Sequence, residues 1–176
     1  MILHAPTEFF DNLRNYLVQI IGFEYVSQGE VKNQINEIIK SEDLVEYKWM
    51  KVWNAADSKT KDRFYFHQQA VAKEFRRIWK ENKANSSGVM SGSLLQQKND
   101  IRLLDRVFKI KSPCLILVGL HDRNVGIELC RDFASRIRDS KLVIFEDSAH
   151  FPHMEEPDKY IKEINFFLSD GRVQVV

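Results

Sequence analysis

No run in this chain is long and apolar enough to form a membrane-spanning helix, which needs about 20 such residues. An excess of one charge is missing too: 26 Lys and Arg stand against 25 Asp and Glu, a formal net charge of +1. That balance gives no general reason for a nucleic acid or an anionic membrane as partner. Cysteine is scarce. Cys114 and Cys130 both fall in expected core elements, so buried reduced thiols are expected rather than a disulfide, which fits a cytosolic setting. There is no internal repeat and no long low-complexity tract, and Met1-Ile2-Leu3 lacks the charged start and long apolar centre of a signal peptide. The expectation is a soluble, globular, cytoplasmic protein whose 176 residues make one domain or two small ones.

Three textures follow one another along the chain. Residues 1–6 look like the end of a buried strand halted by Pro6. From Thr7 to about Asn82 the pattern is helical. Thr7 or Asp11 can cap a first helix with Phe9, Phe10, Leu13, Tyr16, Leu17, Ile20 and Ile21 on its packing side and a stop at Gly22. Val31, Ile35, Ile38 and Ile39 mark a second helix ending near Ser41. A third opens at Ser41-Glu42-Asp43 with Leu44, Tyr47 and Met50 buried. One longer helix then follows Asp57-Ser58, carrying Phe64, Val71, Phe75, Ile78 and Trp79 on one stripe. The Asn-, Ser- and Gly-rich stretch from Asn82 to Lys98 reads as a loop or hinge.

The last third alternates strand and helix. Cys114–Gly119 is an apolar run opened by Pro113 and followed by Leu120-His121-Asp122; Leu142–Phe145 is a second, followed by Glu146-Asp147-Ser148-Ala149-His150. Between them Cys130, Phe133, Ala134 and Ile137 form an amphipathic stripe, and a last helix starts at Pro157, a residue suited to a first helical position. Strand–helix–strand–helix in so short a span implies a parallel pair. Both loops then leave the carboxyl ends of their strands, where such sheets bind ligands. Asp122 and His150 are placed to meet there as a carboxylate orienting a general base. The alternative is that Asp122 caps the helix near Val125 and His150 is satisfied by backbone.

The wording around the pair points further. Ile110-Lys111-Ser112-Pro113-Cys114-Leu115-Ile116-Leu117-Val118-Gly119-Leu120-His121-Asp122 resembles the acid-bearing segment of the α/β-hydrolases. Ser148-Ala149-His150-Phe151-Pro152-His153-Met154-Glu155-Glu156-Pro157 resembles their histidine loop and terminal helix. Leu3-His4-Ala5-Pro6 is similar to the family's strand before the cap, and Thr7–Lys98 to the helical cap inserted there. The resemblance implies an α/β fold: an α/β-hydrolase-like fragment made of a helical cap (7–98) and the terminal strand–helix–strand–helix of a mostly parallel sheet (99–176), with residues 1–6 ending a core strand. It implies Asp122 and His150 as acid and histidine of a Ser-Asp-His triad, no cofactor, and a small ester, amide or peptide-like substrate. Proline iminopeptidase-like enzymes and carbon–carbon or ester hydrolases share such a cap. Dehalogenases and epoxide hydrolases, with an Asp nucleophile on this scaffold, stay open.

One part of the family pattern is missing. No G-x-S-x-G occurs, and Gly88-Val89-Met90-Ser91-Gly92 has the wrong spacing and no strand before it. The chain is therefore expected to be a truncated, C-terminal portion that lacks the nucleophile and is inactive alone, and either oligomeric or completed by a missing N-terminal half. The competing reading is a non-catalytic interaction protein that keeps the cap. Other signals carry less. His150 and His153 form H-x-x-H near His121, but the helical zinc pair is spaced i, i+4, so no metal is expected. His4 and His67 look like lone structural or solvent-facing side chains. Lys73–Lys80 mixes bases with aromatics yet reads as a solvated helix face. Trp49, Trp53, Trp79, Phe64 and Phe66 could line a pocket between cap and core, where the resemblance implies binding of acyl or peptide-like groups, but most are expected as simple cap packing.

Overall fold

A computed structural model describes residues 1–6, 12–81 and 103–169. The expected hinge at Asn82–Lys98, the capping residues Thr7 and Asp11, and the aromatic pair Phe9 and Phe10 lie outside the described residues.

Three parallel strands form the sheet: β1 (Ile2–His4), β2 (Cys114–Gly119) and β3 (Ser140–Phe145), in that spatial order. His4 sits opposite Leu117 on one side of β2, and Gly119 opposite Phe145 on the other. Central β2 is buried along its whole length, as a continuous apolar run in a parallel sheet should be. Its alternation sends Cys114, Ile116 and Val118 to one face, packed on Leu129, Cys130 and Phe133 of α6 (Ile127–Arg136). Leu115 and Leu117 go to the other face, with Val143 and Phe145, under Tyr160, Ile164 and Phe167 of α8 (Pro157–Ser169). Between β3 and α8 lies a short helix, α7 (Pro152–Glu155), which the sequence pattern gives only as loop.

The helical stretch expected as a cap, and called the cap below, has a second core built from α1 (Asn12–Val26), α2 (Gly29–Lys40), α3 (Val45–Ala55), α4 (Ser58–Tyr65) and α5 (Gln69–Glu81). Ile20, Phe23, Val26, Ile35, Val52 and Phe64 are its buried centre, with Phe23 and Phe64 stacked at 4.0 Å.

Five details of the cap differ from the sequence pattern. Gly22 does not stop α1, which runs on to Val26. Gly22 is instead a point of close approach: a Cβ there would lie 2.8 Å from the Arg123 Cβ and 3.0 Å from the Phe64 ring. The side of α1 bearing Leu13, Leu17 and Ile21 is exposed, because the helix rolls to bury Gln19, Ile20 and Phe23. Leu44 just before α3, and Tyr47 and Met50 within it, face solvent while Val52 is buried, with Val45, Trp49 and Trp53 packed on the same core. The expected long helix is two helices, broken at Phe66-His67-Gln68. Asp57 caps the first, accepting from Thr60 N. The break is held by Glu155, one carboxylate oxygen of which accepts from both His67 N and Gln68 N at 2.7 Å. Arg76 then ties α5 back to Asp62 of α4 with a forked pair at 2.7 and 2.8 Å. Ile78 and Trp79, at the far end of α5, are exposed rather than on a packing stripe.

Candidate functional site

The loops after β2 and β3 lie side by side. Leu120 N donates to Phe145 O at 2.8 Å, and His121 N to Ser148 O at 3.0 Å. Gly119 permits this approach, since a Cβ on it would stand 2.0 Å from Ala149 O and 2.4 Å from Ser148 O. The strand pattern and this glycine bring the two predicted site residues together: Asp122 Oδ2 faces His150 Nδ1 at 3.0 Å.

Asp122 plays both of the parts that its position allows. Oδ1 accepts from Asn124 N at 2.8 Å and Val125 N at 3.0 Å, leaving Oδ2 for the imidazole. Its side chain is fully buried. Burial alone pushes the carboxyl up; the hydrogen bond and charge of His150, with the Val125 and Asn124 amides, outweigh it and hold the group below its ordinary value. Cys130 feels the same carboxylate: burial first, then the Asp122 charge, pushes its thiol up to about 12. Cys114 and Cys130 are both free and buried.

His150 is fixed by backbone as well as by Asp122. Its N–H donates to Tyr65 O at 3.0 Å, tying the histidine loop to the end of α4. Its carbonyl accepts from His4 Nε2 at 3.1 Å. His4, unremarkable in sequence, is thus a neighbour of the site on β1. Burial first, then the charges of His153 and His150, keep it below its usual range against the pull of its bond to His150 O. Tyr65 packs its ring 5.7 Å from that of His150; burial and then the Asp122 charge push its hydroxyl up to about 12. The rest of the loop hangs on Glu155, whose second oxygen accepts from Ala149 N at 2.7 Å.

The remaining histidines divide into two groups. His153 lies edge-on to His4 at 5.3 Å, whereas His121 stacks on His67 at 3.8 Å. Among the described residues no three His, Cys, Asp or Glu side chains converge as metal ligands. No described helix is long and apolar enough to cross a membrane.

Beyond Nδ1, the imidazole presents Nε2 to Asn124 of the loop after β2, whose Nδ2 lies 3.1 Å away. Gln19 of α1 reaches Asn124 in turn, and Trp49 of α3 reaches Gln19. Sequence reasoning misses Asn124 and Gln19, because no local pattern marks a contact made across 105 residues, and it singles out Trp49 without this bond. An open cleft of about 350 Å³ runs beside Asp122, lined by Val18, Ile21 and Tyr25 of α1 with Leu120 and Arg123. The Arg123 guanidinium lies over the Tyr25 ring at 5.4 Å. Trp49 and Trp53 stack on each other at 6.2 Å within the cap core.

Comparison with known proteins bears on the fold. No family model matches the sequence. The chain is 33% identical over 96 residues to a proline iminopeptidase of Clostridioides difficile strain 630, a match covering 52% of this chain and 28% of that protein. It is 38% identical over 69 residues to a proline iminopeptidase of Saccharolobus solfataricus, covering 39% of this chain and 22% of the relative. The solved α/β fold family hydrolase of Bacillus anthracis str. Sterne superposes with a TM-score of 0.57 at 20% identity, over 94% of this chain and 57% of that one. The chain therefore spans well under two thirds of each protein it resembles, and the architecture they share with it is the α/β-hydrolase fold.

Proposed function

We propose that this member of the α/β-hydrolase superfamily supplies the acid and the general base of a Ser-Asp-His triad acting on an ester, amide or peptide-like bond of a small molecule. The observation that carries the reading is the 3.0 Å contact between Asp122 Oδ2 and His150 Nδ1 at the carboxyl ends of two parallel strands. In this reaction Asp122 holds the proton on Nδ1. His150 Nε2 then takes the proton of a nucleophile hydroxyl as that oxygen attacks the carbonyl, and returns it to the leaving group. The similarity to proline iminopeptidases supports a peptide-like substrate with a free amino end.

The nucleophile and the oxyanion donors belong to residues outside this sequence, which has no G-x-S-x-G. The partner in catalysis is thus a nucleophile-bearing segment, covalently joined or separate. By itself the chain is expected to turn over no nitrophenyl ester above buffer. Co-expressed with a G-x-S-x-G-bearing N-terminal segment of the superfamily, it should gain turnover that His150→Ala abolishes and Asp122→Asn lowers by about 10⁴-fold. Turnover by the isolated chain that disappears in His150→Ala would overturn the division of labour. A non-catalytic interaction protein is the second reading, favoured by the solvent-facing Leu13, Leu17, Ile21 and Tyr25 along α1.

A further inference from the structure

We infer that Gln19 and Trp49 of the cap position the Asn124 amide over His150 Nε2, where it fills the place of the nucleophile's hydroxyl and holds the imidazole neutral until displaced. The inference rests on the role proposed for His150 but is read from donor and acceptor chemistry alone.

An indole N–H can only donate, and Trp49 Nε1 meets Gln19 Oε1 at 2.5 Å. A backbone carbonyl can only accept, and Asn124 O meets Gln19 Nε2 at 3.2 Å. Both ends of the glutamine amide are therefore fixed. Gln19 Nε2 also donates to Asn124 Oδ1 at 2.8 Å, which leaves Asn124 Nδ2 as the group facing His150 Nε2 at 3.1 Å. An amide NH₂ gives protons and accepts none, so Nε2 must offer its lone pair. The ring proton then sits on Nδ1 and is donated to Asp122. An imidazolium would set N–H against N–H. Gln19 is only 7% exposed, so water does not readily replace its bonds.

Other groups around His150 leave this logic intact. Asp122 faces Nδ1, His4 of β1 holds the His150 carbonyl, Tyr65 of α4 packs on the ring, and His153 of α7 meets His4. The relay links two cap helices to the base nitrogen: Gln19 lies on α1 and Trp49 on α3. A nucleophile hydroxyl arriving at Nε2 must turn the Asn124 amide aside, and a shift of α1 against α3 loosens that amide in advance.

The test is a pH titration of the full chain, labelled with ¹⁵N-histidine, read by NMR. The protonated and bare ring nitrogens resonate far apart, and neither substrate nor nucleophile is needed. In the parent chain above its midpoint, His150 shows a bare Nε2 and a protonated Nδ1. Asn124→Asp keeps the Gln19 bond but places a carboxylate at Nε2, raising the His150 midpoint by about one unit. Gln19→Leu and Trp49→Phe, which touch no atom of His150, raise it by a smaller but measurable step, because the freed Asn124 amide can turn Oδ1 to Nε2–H. Trp49→Phe keeps a ring against Tyr16 and Trp53 and carries the test should Gln19→Leu unfold. A midpoint and Nε2 resonance unchanged in Trp49→Phe, or unmoved in Asn124→Asp, overturns the relay. Such a result leaves the triad reading standing, and failed complementation by a nucleophile segment leaves the relay standing.

Discussion

At the scale of single residues, Asp122 and Gly119 decide the site by opposite means, one by charge and one by having no side chain. Asp122 is ionised at a lower pH in the folded chain than in the unfolded one, so its contribution to stability is complete above the unfolded value of about 4 and is lost as pH falls through the lower folded value. Asp122→Asn is therefore expected to cost about 1–3 kcal/mol near neutrality. The gap from the parent should close below about pH 4. Urea unfolding at stepped pH checks this, and a gap constant down to acid would contradict it. Gly119→Ala has no such dependence. Its methyl would fall on the backbone of Ser148 and Ala149, so the histidine loop must move. The expected loss is at least about 1–3 kcal/mol. With it goes the Asp122–His150 contact, visible as a changed His150 ring signal.

At the scale of elements, what the sequence discloses depends on how local the cause is. β2 and β3 are legible because each is an apolar run bracketed by punctuation, Pro113 before one and an acidic loop after the other. The helix start at Pro157 is equally local. Asp122 and His150 inherit that clarity, since a residue following a parallel strand has few places to go. The break between α4 and α5 has no local cause: its backbone amides are satisfied by Glu155, 88 residues away from His67. The same distance hides the faces of α1 and α3. Each carries two apolar stripes, and only the position of neighbouring helices selects Ile20 and Phe23 over Leu17 and Ile21, or Val52 over Tyr47 and Met50. Asn124 goes unnoticed for that reason as well, and His4, read as a lone structural or solvent-facing side chain, is not tied to the site.

Glu155 is consequently the hinge pin between cap and histidine loop. Its two oxygens accept from three backbone amides, His67, Gln68 and Ala149. Burial pushes its carboxyl up while those amides pull it back. Glu155→Gln preserves the shape but turns one acceptor into a donor facing an N–H, at an expected cost of about 2–3 kcal/mol. Hydrogen exchange should quicken first at His67, Gln68 and Ala149. Uniform quickening across β2 and the cap alike would mean that the residue stabilises the whole fold and not this junction.

For the whole molecule, the question is what covers the surface left open beside the site. α6 and α8 shield the two faces of the sheet. Among the described residues, β1 pairs only with β2 and so presents an edge, a ready template for another strand. Leu13, Leu17, Ile21 and Tyr25 succeed one another at four-residue steps along α1 and are 43–74% exposed, with Leu120 also open. Ile21, Tyr25 and Leu120 also line the cleft beside Asp122, so a cover placed there would close the cleft from above. In the proposed reaction that cover is the nucleophile-bearing segment. Without it, a second copy of this chain is the nearest apolar surface of the same kind. The isolated chain should therefore self-associate as its concentration rises, in light scattering or sedimentation equilibrium. Leu17→Lys with Ile21→Lys should shift it towards monomer without changing the His150 signals, because neither side chain takes part in the relay or the Asp122 bond. A monodisperse monomer at high concentration would refute self-association by the parent chain, and a double variant that still associates would move the contact to an edge of the sheet, at β1 or β3.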